Sequence, residues 1–307
     1  TIVHLSPLDG DIVLRHKIAD SGARTLVTTD MGELASKAGE LRDSGLVDRM
    51  IVGDDAALYD GRAIWHGIGA AEETQFPLVA SSDLALLQYT GGTTGLPKGA
   101  MLTHANLSAA VSSYDLWFAA HGLTRPGEDR VLMFLPLFHI YGLTAVMLRG
   151  INNGLTLLLH ARFDPQIALD EIEAGATSFP GVPTMWISIA ATPGFESRDF
   201  SSLRYCASGG APLPAEVARK LKRATGHDLL GGWGMTETSP AGSNIPMTRP
   251  DKYDTIGVPL PGIYVDVVAL DDPTRIVAQG ETGELRIAGP NVTAGYWNCL
   301  AETEAAF

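Results

Sequence analysis

From Thr1 to about residue 234, short apolar runs alternate with longer helix-patterned stretches, and this alternation constrains the fold more than any other feature. "TIVHL" is followed by "DIVLRHKIADSG", "ARTLVTT", "GELASKAGELRDSG" and "RMIVGDD". Later come the helical "THANLSAAVSSYDLWFAA", with Thr103 placed to cap it, and then "LTLLLHA", "DPQIALDEIEAG", "ATSFPGV", "PTMWISIAA", "LRYCASGG", "LPAEVARKLKRATG" and "HDLLGGWG". Strand, helix, strand in this order predicts β-α-β units on a mostly parallel sheet covered by helices, an α/β fold. Glycines stand just past the first two helical stretches, where a left-handed residue commonly ends a helix. From about residue 250 the texture changes. "TIGVPLPGIYVDVVALDD" and "GELRIAGPNVTAGYW" carry short alternating runs and turn glycines, which predicts a small β-rich subdomain. The expected division is therefore 1–249 for the α/β portion and 250–307 for the β-rich one. The final "AETEAAF" reads as a stop without a closing element.

The net charge is −13, so nucleic acid and anionic membranes are poor partners for the domain as a whole. A polyanionic ligand then needs local donors, a lysine or a divalent metal. Cys206 and Cys299 lie far apart without metal-ligand spacing, and two indifferent thiols in a reducing cytoplasm are expected. The chain opens on a strand-like "TIVHLSP" without an initiator Met, and residues before it are expected. The uncharged stretch 131–148 has the length of a spanning helix, but Pro136, His139 and Gly142 interrupt it. It reads instead as a buried strand "RVLMFLPL", a turn and the helix "IYGLTAVMLRG". Peripheral membrane contact and oligomeric state are left open.

Five stretches carry chemistry-bearing residues. In "QYTGGTTGLPKGAMLTH", Lys98 lies between Pro97 and Gly99, so the Walker A pattern fails. A hairpin loop of this composition could still hold phosphate through backbone N–H groups, the hydroxyls of Thr90, Thr93 and Thr94, and Lys98. A solvated linker explains the loop about as well. In "GGWGMTETSPAG", Trp233 offers a face for stacking, Thr236 a hydroxyl and Glu237 an oxygen ligand for Mg²⁺, against the plain alternative of a core Trp beside a cap. "SGGAPLP" lets a flat ligand approach backbone, or is simply a strand-to-helix turn shaped by Pro212 and Pro214. In "LPLFHIYG", Phe138 and His139 stand at the mouth of an apolar pocket, or His139 is a satisfied core histidine. In "GELRIAGPNVTAGYW", Glu284 and Arg286 share one strand face, most simply a surface pair.

Taken together and in this order, the five stretches resemble the adenylate-forming superfamily of acyl-CoA synthetases, peptide-synthetase adenylation domains and luciferases. The likeness runs through essentially the whole chain. "LQYTGGTTG", "KGAMLTH", "LPLFHIYGLT" and "DFSSLRYCASGGAPLP" look most like medium- and long-chain fatty acyl-CoA synthetases of bacteria. The resemblance implies a large N-terminal domain of that type. It implies that a carboxylate attacks the α-phosphorus of ATP, pyrophosphate leaves, and the acyl group of the acyl-AMP passes to CoA. Thr90, Gly91, Gly92, Thr93, Thr94, Gly95 and Lys98 would wrap the β- and γ-phosphates. Thr236 would touch the α-phosphate and Glu237 would hold Mg²⁺, which makes Lys98, Thr236 and Glu237 the catalytic candidates. Adenine would lie between Gly209, Gly210, Ala211 and Pro212 and the ring of Trp233, where the family usually has Tyr, with Gly232, Gly234 and Met235 completing the nucleotide side. Phe138, His139 and Gly234 would line the carboxylate end of the acyl pocket. The family's ribose-binding Asp, its hinge and its late catalytic Lys would follow Phe307, so the sequence is expected to be an N-terminal part of an enzyme whose C-terminal lid domain lies outside it. Two other readings stand beside this one: an adenylation domain or acyl-AMP ligase delivering to a carrier protein, and a nucleotide-binding module without turnover.

Overall fold

The computed structural model describes residues 1–53, the backbone of 63–64, and residues 77–90 and 95–307. Contacts group them into two units, Thr1–Thr103 with Ala294–Phe307, and His104–Thr293.

In the first unit, β1 (Ile2–Val3), β5 (Leu84–Tyr89) and β6 (Gly99–Thr103) form one sheet, and β2 (Thr25–Thr29), β3 (Arg49–Gly53) and β4 (Ala63–Ile64) form a parallel one. Helices Asp11–Ser21 and Leu34–Asp43 follow β1 and β2 as the alternation predicts. Gly22 ends the first at φ 67°, a conformation that costs a side chain but not glycine. Ile18, Leu41 and Val47 are buried together with Leu26 against them. Lys17 is buried as well and is balanced by Asp9 at 2.6 Å. β5 and β6 pair antiparallel, with Tyr89 opposite Gly99, so the Gly/Thr stretch connects two antiparallel strands.

The second unit is built on a seven-stranded sheet. Its order is β13 (Val258–Pro259), β12 (Ser243–Asn244), β11 (Leu229–Trp233), β10 (Tyr205–Ser208), β9 (Ser178–Gly181), β7 (Arg130–Met133) and β8 (Thr156–Leu159). The strands from β11 to β8 run parallel, while β12 and β13 turn antiparallel. Side chains alternate along a strand, and helices cover both faces. Cys206 points into a cluster with Phe179 of β9 and with Trp186, Leu169, Ile172 and Leu221 from the helices Pro165–Glu173, Pro183–Ala191 and Ala215–Thr225. Its neighbours Tyr205 and Ala207 point the other way, into a cluster with Tyr114, Trp117 and Phe118 of the helix His104–Ala120. Burial pushes the Cys206 thiol up to about 12. The sheet β14 (Tyr264–Ala269), β15 (Asp272–Ile276) and β16 (Glu284–Ala288) is antiparallel and falls within the stretch read as β-rich.

Three expectations need correction. The segment after β7 is strand only to Met133, and the helix expected over 140–150 is a π-helix, Tyr141–Leu148, running into one α-turn, Arg149–Asn152. Gly142 permits that entry, since a Cβ there would stand 2.6 Å from the Pro136 carbonyl oxygen. The C-terminal "AETEAAF" does carry an element, the helix Leu300–Ala306. Among the described residues, no helix is long and apolar enough to cross a membrane.

Candidate functional site

In the first unit, the Thr90 N–H donates to the Lys98 carbonyl at 2.9 Å and closes the loop at its base. Gly99 lacks a Cβ because the Tyr89 ring passes there, with its Cζ 3.2 Å from where a Cβ would stand. The Tyr89 hydroxyl then reaches Asp20 at 2.6 Å. The Pro97 carbonyl accepts from Nε2 of His16 at 2.9 Å, which places the ring proton on that nitrogen. The backbone of Gly295 and Trp297 runs beside β6, with Met101 N–H donating to Gly295 at 3.0 Å and Trp297 N–H to Gly99 at 2.7 Å. That brings the Tyr296 ring under Lys98, whose ammonium lies 4.6 Å from the ring centroid. Among the described residues no carboxylate pairs with Lys98. A cation resting on an aromatic face keeps its hydrogen-bonding capacity for an anionic ligand. Thr90 and Lys98 are half-buried and Gly95 is exposed. The predicted phosphate-binding residues Gly91, Gly92, Thr93 and Thr94 lie outside the described residues.

In the second unit the remaining candidates gather at one edge. β7, β9, β10 and β11 are parallel neighbours, so the loops leaving their carboxyl ends emerge together, which is where open α/β sheets bind ligands. Phe138 and His139 follow β7, Gly209 to Pro212 follow β10, and Trp233 to Glu237 follow β11. Gly209 is buried, and its N–H donates to Gly181 at 3.1 Å. A Cβ on Gly209 would meet the ring of Tyr141 at 3.0 Å, so the glycine backbone and the first residue of the π-helix are in close contact. Gly210 takes φ 78° and is exposed with Ala211 and Pro212. His139 faces solvent and is not a core residue, yet neighbouring atoms strip enough water from its ring to hold its pKa below the usual histidine value. Its Nδ1 accepts from the Tyr141 N–H at 3.3 Å.

Trp233 is half-buried, with its ring edge on Gly242, where a Cβ would stand 2.7 Å from Cε3. Gly234 and Met235 are exposed, and Thr236 is half-buried. Thr236–Thr238 form a 3₁₀ turn closed by Thr238 N–H to Met235 and Ser239 N–H to Thr236, both 3.1 Å. Glu237 has 8% of its surface exposed, and its carbonyl accepts from the Thr293 N–H at 2.8 Å. Asn291, fully buried, donates to the carbonyls of Thr238 and Ala241. Glu284 and Arg286 form no part of this edge. They lie on the outer face of β16, where Arg286 pairs with Asp266 at 2.8 Å.

The AMP-binding enzyme family matches residues 1–297. The chain belongs to that family. A long-chain-fatty-acid–CoA ligase of Bacillus subtilis is 32% identical over 99% of this chain and 58% of its own length. A feruloyl-CoA synthase of an Amycolatopsis species is 37% identical over 92% of this chain and 54% of its own. The solved O-succinylbenzoate coenzyme A synthetase of Bacillus subtilis, in complex with ATP and magnesium ion, matches with a TM-score of 0.82 and 28% identity over 99% of this chain and 58% of that one. The chain thus spans a little over half the length of these relatives. The α/β fold of this AMP-binding chain, with its several helix-flanked sheets, is the one its sequence predicts.

Sequence reasoning did not single out His16, Tyr296 or Asn291. Tyr296 and Asn291 stand in the quoted "GPNVTAGYW", but their partners are nearly two hundred and about fifty residues away and leave no local pattern.

Proposed function

We propose that this chain supplies the nucleotide- and acyl-binding part of an enzyme that activates a medium- or long-chain fatty acid with ATP, releasing pyrophosphate, and then forms the thioester with CoA. Lys98 and the loop 90–98 take the β- and γ-phosphates, Thr236 the α-phosphate, and Glu237 the magnesium. Adenine lies between Gly209 to Pro212 and Trp233, and Phe138 and His139 face the acid. The observation that carries this reading is the gathering of Phe138–His139, Gly209–Pro212 and Trp233–Glu237 at one carboxyl edge of the sheet, in a member of the AMP-binding enzyme family.

The donor set suits Mg²⁺. That ion binds through one or two carboxylates plus the oxygens of a substrate phosphate and keeps much of its water. Among the described residues there is no cluster of three or more acidic, His or Cys ligands that would cage a metal alone, and Glu237 offers one hard, little-solvated carboxylate. When bound, the ion neutralises phosphate charge. The chain's own residues do the rest. Lys98 and Thr236 steady charge that grows as the carboxylate approaches phosphorus, and fixed donors of this kind contribute roughly 3–4 kcal/mol each. His139, favoured as the neutral ring, pairs with no carboxylate among the described residues as it faces the acid. Each buried methylene of a fatty chain adds about 0.8 kcal/mol, so chain-length preference follows from how many are covered.

Pyrophosphate exchange into ATP by the full-length protein, run over a panel of straight-chain and aromatic acids with and without CoA, tests the reading. Exchange with fatty acids in the absence of CoA is expected. Exchange with aromatic acids alone would favour an aromatic carboxylic acid as the substrate, as the feruloyl-CoA synthase relative suggests. No exchange with any acid would contradict both.

A further inference from the structure

The turn that carries Thr236 and Glu237 is short and exposed at Gly234 and Met235; its two backbone hydrogen bonds are joined by the Thr238 hydroxyl, which accepts from the Met235 N–H at 3.1 Å and donates to the Met235 carbonyl at 3.0 Å. Those bonds close the turn on itself, and a loop fifty residues later in the same unit anchors it to the rest of the fold. The Asn291 amide donates to Thr238 at 2.7 Å and to Ala241 at 2.8 Å. The Ser239 hydroxyl donates to the Asn291 carbonyl at 2.8 Å, and the Thr293 N–H donates to the Glu237 carbonyl at 2.8 Å. The loop is held in turn by Asn106 of the helix His104–Ala120, whose amide donates to Pro290 and Val292, both at 2.9 Å. Asn291 has no exposed surface, and its amide oxygen finds no hydrogen-bond partner among the described residues. A buried amide that leaves its acceptor unused is costly. What the position gains is two N–H donors on a short planar stem that bridges two carbonyls three residues apart.

We propose that Asn291 is the positioning residue for Glu237, so that it sets how much magnesium strengthens nucleotide binding. This rests on the reading above in which Glu237 holds the ion. Groups that orient a metal ligand typically change metal affinity by about 10–100-fold when removed. Asn291→Asp keeps the shape, removes both donors and turns a carboxylate toward two carbonyls. Ser239→Ala is milder, deleting one bond in the same circuit.

The test is calorimetric titration of ATP into the protein in excess Mg²⁺ and again in EDTA, with thermal unfolding recorded for each variant. The gain in affinity that Mg²⁺ brings should shrink by about tenfold or more in Asn291→Asp, while binding in EDTA stays at the wild-type value. If Asn291→Asp does not fold, Ser239→Ala decides: a smaller magnesium gain supports the proposal, and an unchanged gain overturns it. A variant that unfolds earlier yet keeps the full gain, or that loses affinity equally with and without Mg²⁺, gives Asn291 a structural role only and overturns the proposal. Glu237→Gln separates the two layers. Should it keep the full magnesium gain, the reading of Glu237 falls and this proposal with it. Should it lose the gain while both Asn291→Asp and Ser239→Ala keep theirs, only the proposal falls.

Discussion

Gly234→Ala is the sharpest test of how the Thr236–Glu237 turn is built. The glycine is exposed on one side, but an added Cβ would overlap the carbonyl of Pro240, standing 2.7 Å from its carbon and 3.5 Å from its Cα. These are backbone atoms, so no side chain can swing away. The two limbs of the turn must part by more than about an ångström for ordinary contact. That movement strains the bonds at Thr238 and Ser239, both 3.1 Å, and those from Asn291. Overpacking costs about 1–3 kcal/mol and each lost hydrogen bond about 1 kcal/mol, so a net loss of about 3 kcal/mol is expected. For a unit of this size that lowers the unfolding midpoint by roughly 6–12 °C. Gly39→Ala is the matched control. That residue lies within the helix Leu34–Asp43, where the new Cβ would meet no other part of the described residues within 4 Å beyond the helix's own backbone, and alanine there should stabilise by about 0.5–1 kcal/mol. Differential scanning calorimetry reads both. A Gly234→Ala midpoint equal to that of the parent would refute the close approach of the two limbs.

Other outcomes follow from the same geometry. Asp129→Ala should cost about 2–3 kcal/mol in denaturant titration, because the buried carboxylate accepts from the Thr177 hydroxyl and the Arg125 N–H and pairs with the partly exposed Arg204. Asp164→Ala removes the cap that accepts from Gln166 at 2.8 Å and Ile167 at 3.0 Å, for a loss of about 1 kcal/mol by the same assay. His4, His139 and His227 are each held below the ordinary 6.5, first by burial, so the native state binds fewer protons than the unfolded one. Their contribution to stability is present above pH 6.5 and is lost as pH falls toward the lowered native values, and a His4→Gln, His139→Gln, His227→Gln triple variant should flatten the decline of the unfolding midpoint below that pH.

The strand and helix order of the second unit was legible because its strands are apolar runs bounded by Gly and Pro, and because Gly226 follows the last residue of the helix Ala215–Thr225 in the left-handed conformation. The Gly/Thr hairpin was legible from one Lys among turn residues between two apolar runs. The π-helix was not. Tyr141–Leu148 is apolar nearly throughout, and a uniform run carries no period from which 3.6 and wider spacings can be told apart. The terminal helix Leu300–Ala306 buries none of its residues, so it shows no apolar stripe to read. β12 and β13 are two residues each, too short for any alternation to mark where the sheet turns antiparallel. At the candidate site, residue types that could meet phosphate or metal were visible one by one. Their supports, Asn291 beneath the Glu237 turn, Tyr296 beneath Lys98 and His16 at Pro97, depend on pairings that only the folded chain creates.

The most direct measurement is a crystal structure of the protein with ATP and Mg²⁺. The account predicts the triphosphate against the loop 90–98 with the ammonium of Lys98 turned to it, the metal on the carboxylate of Glu237, and the base beside Gly209 to Pro212 and Trp233. A nucleotide bound away from these residues, or a metal held by other ligands while Glu237 stays apart from it, would contradict it.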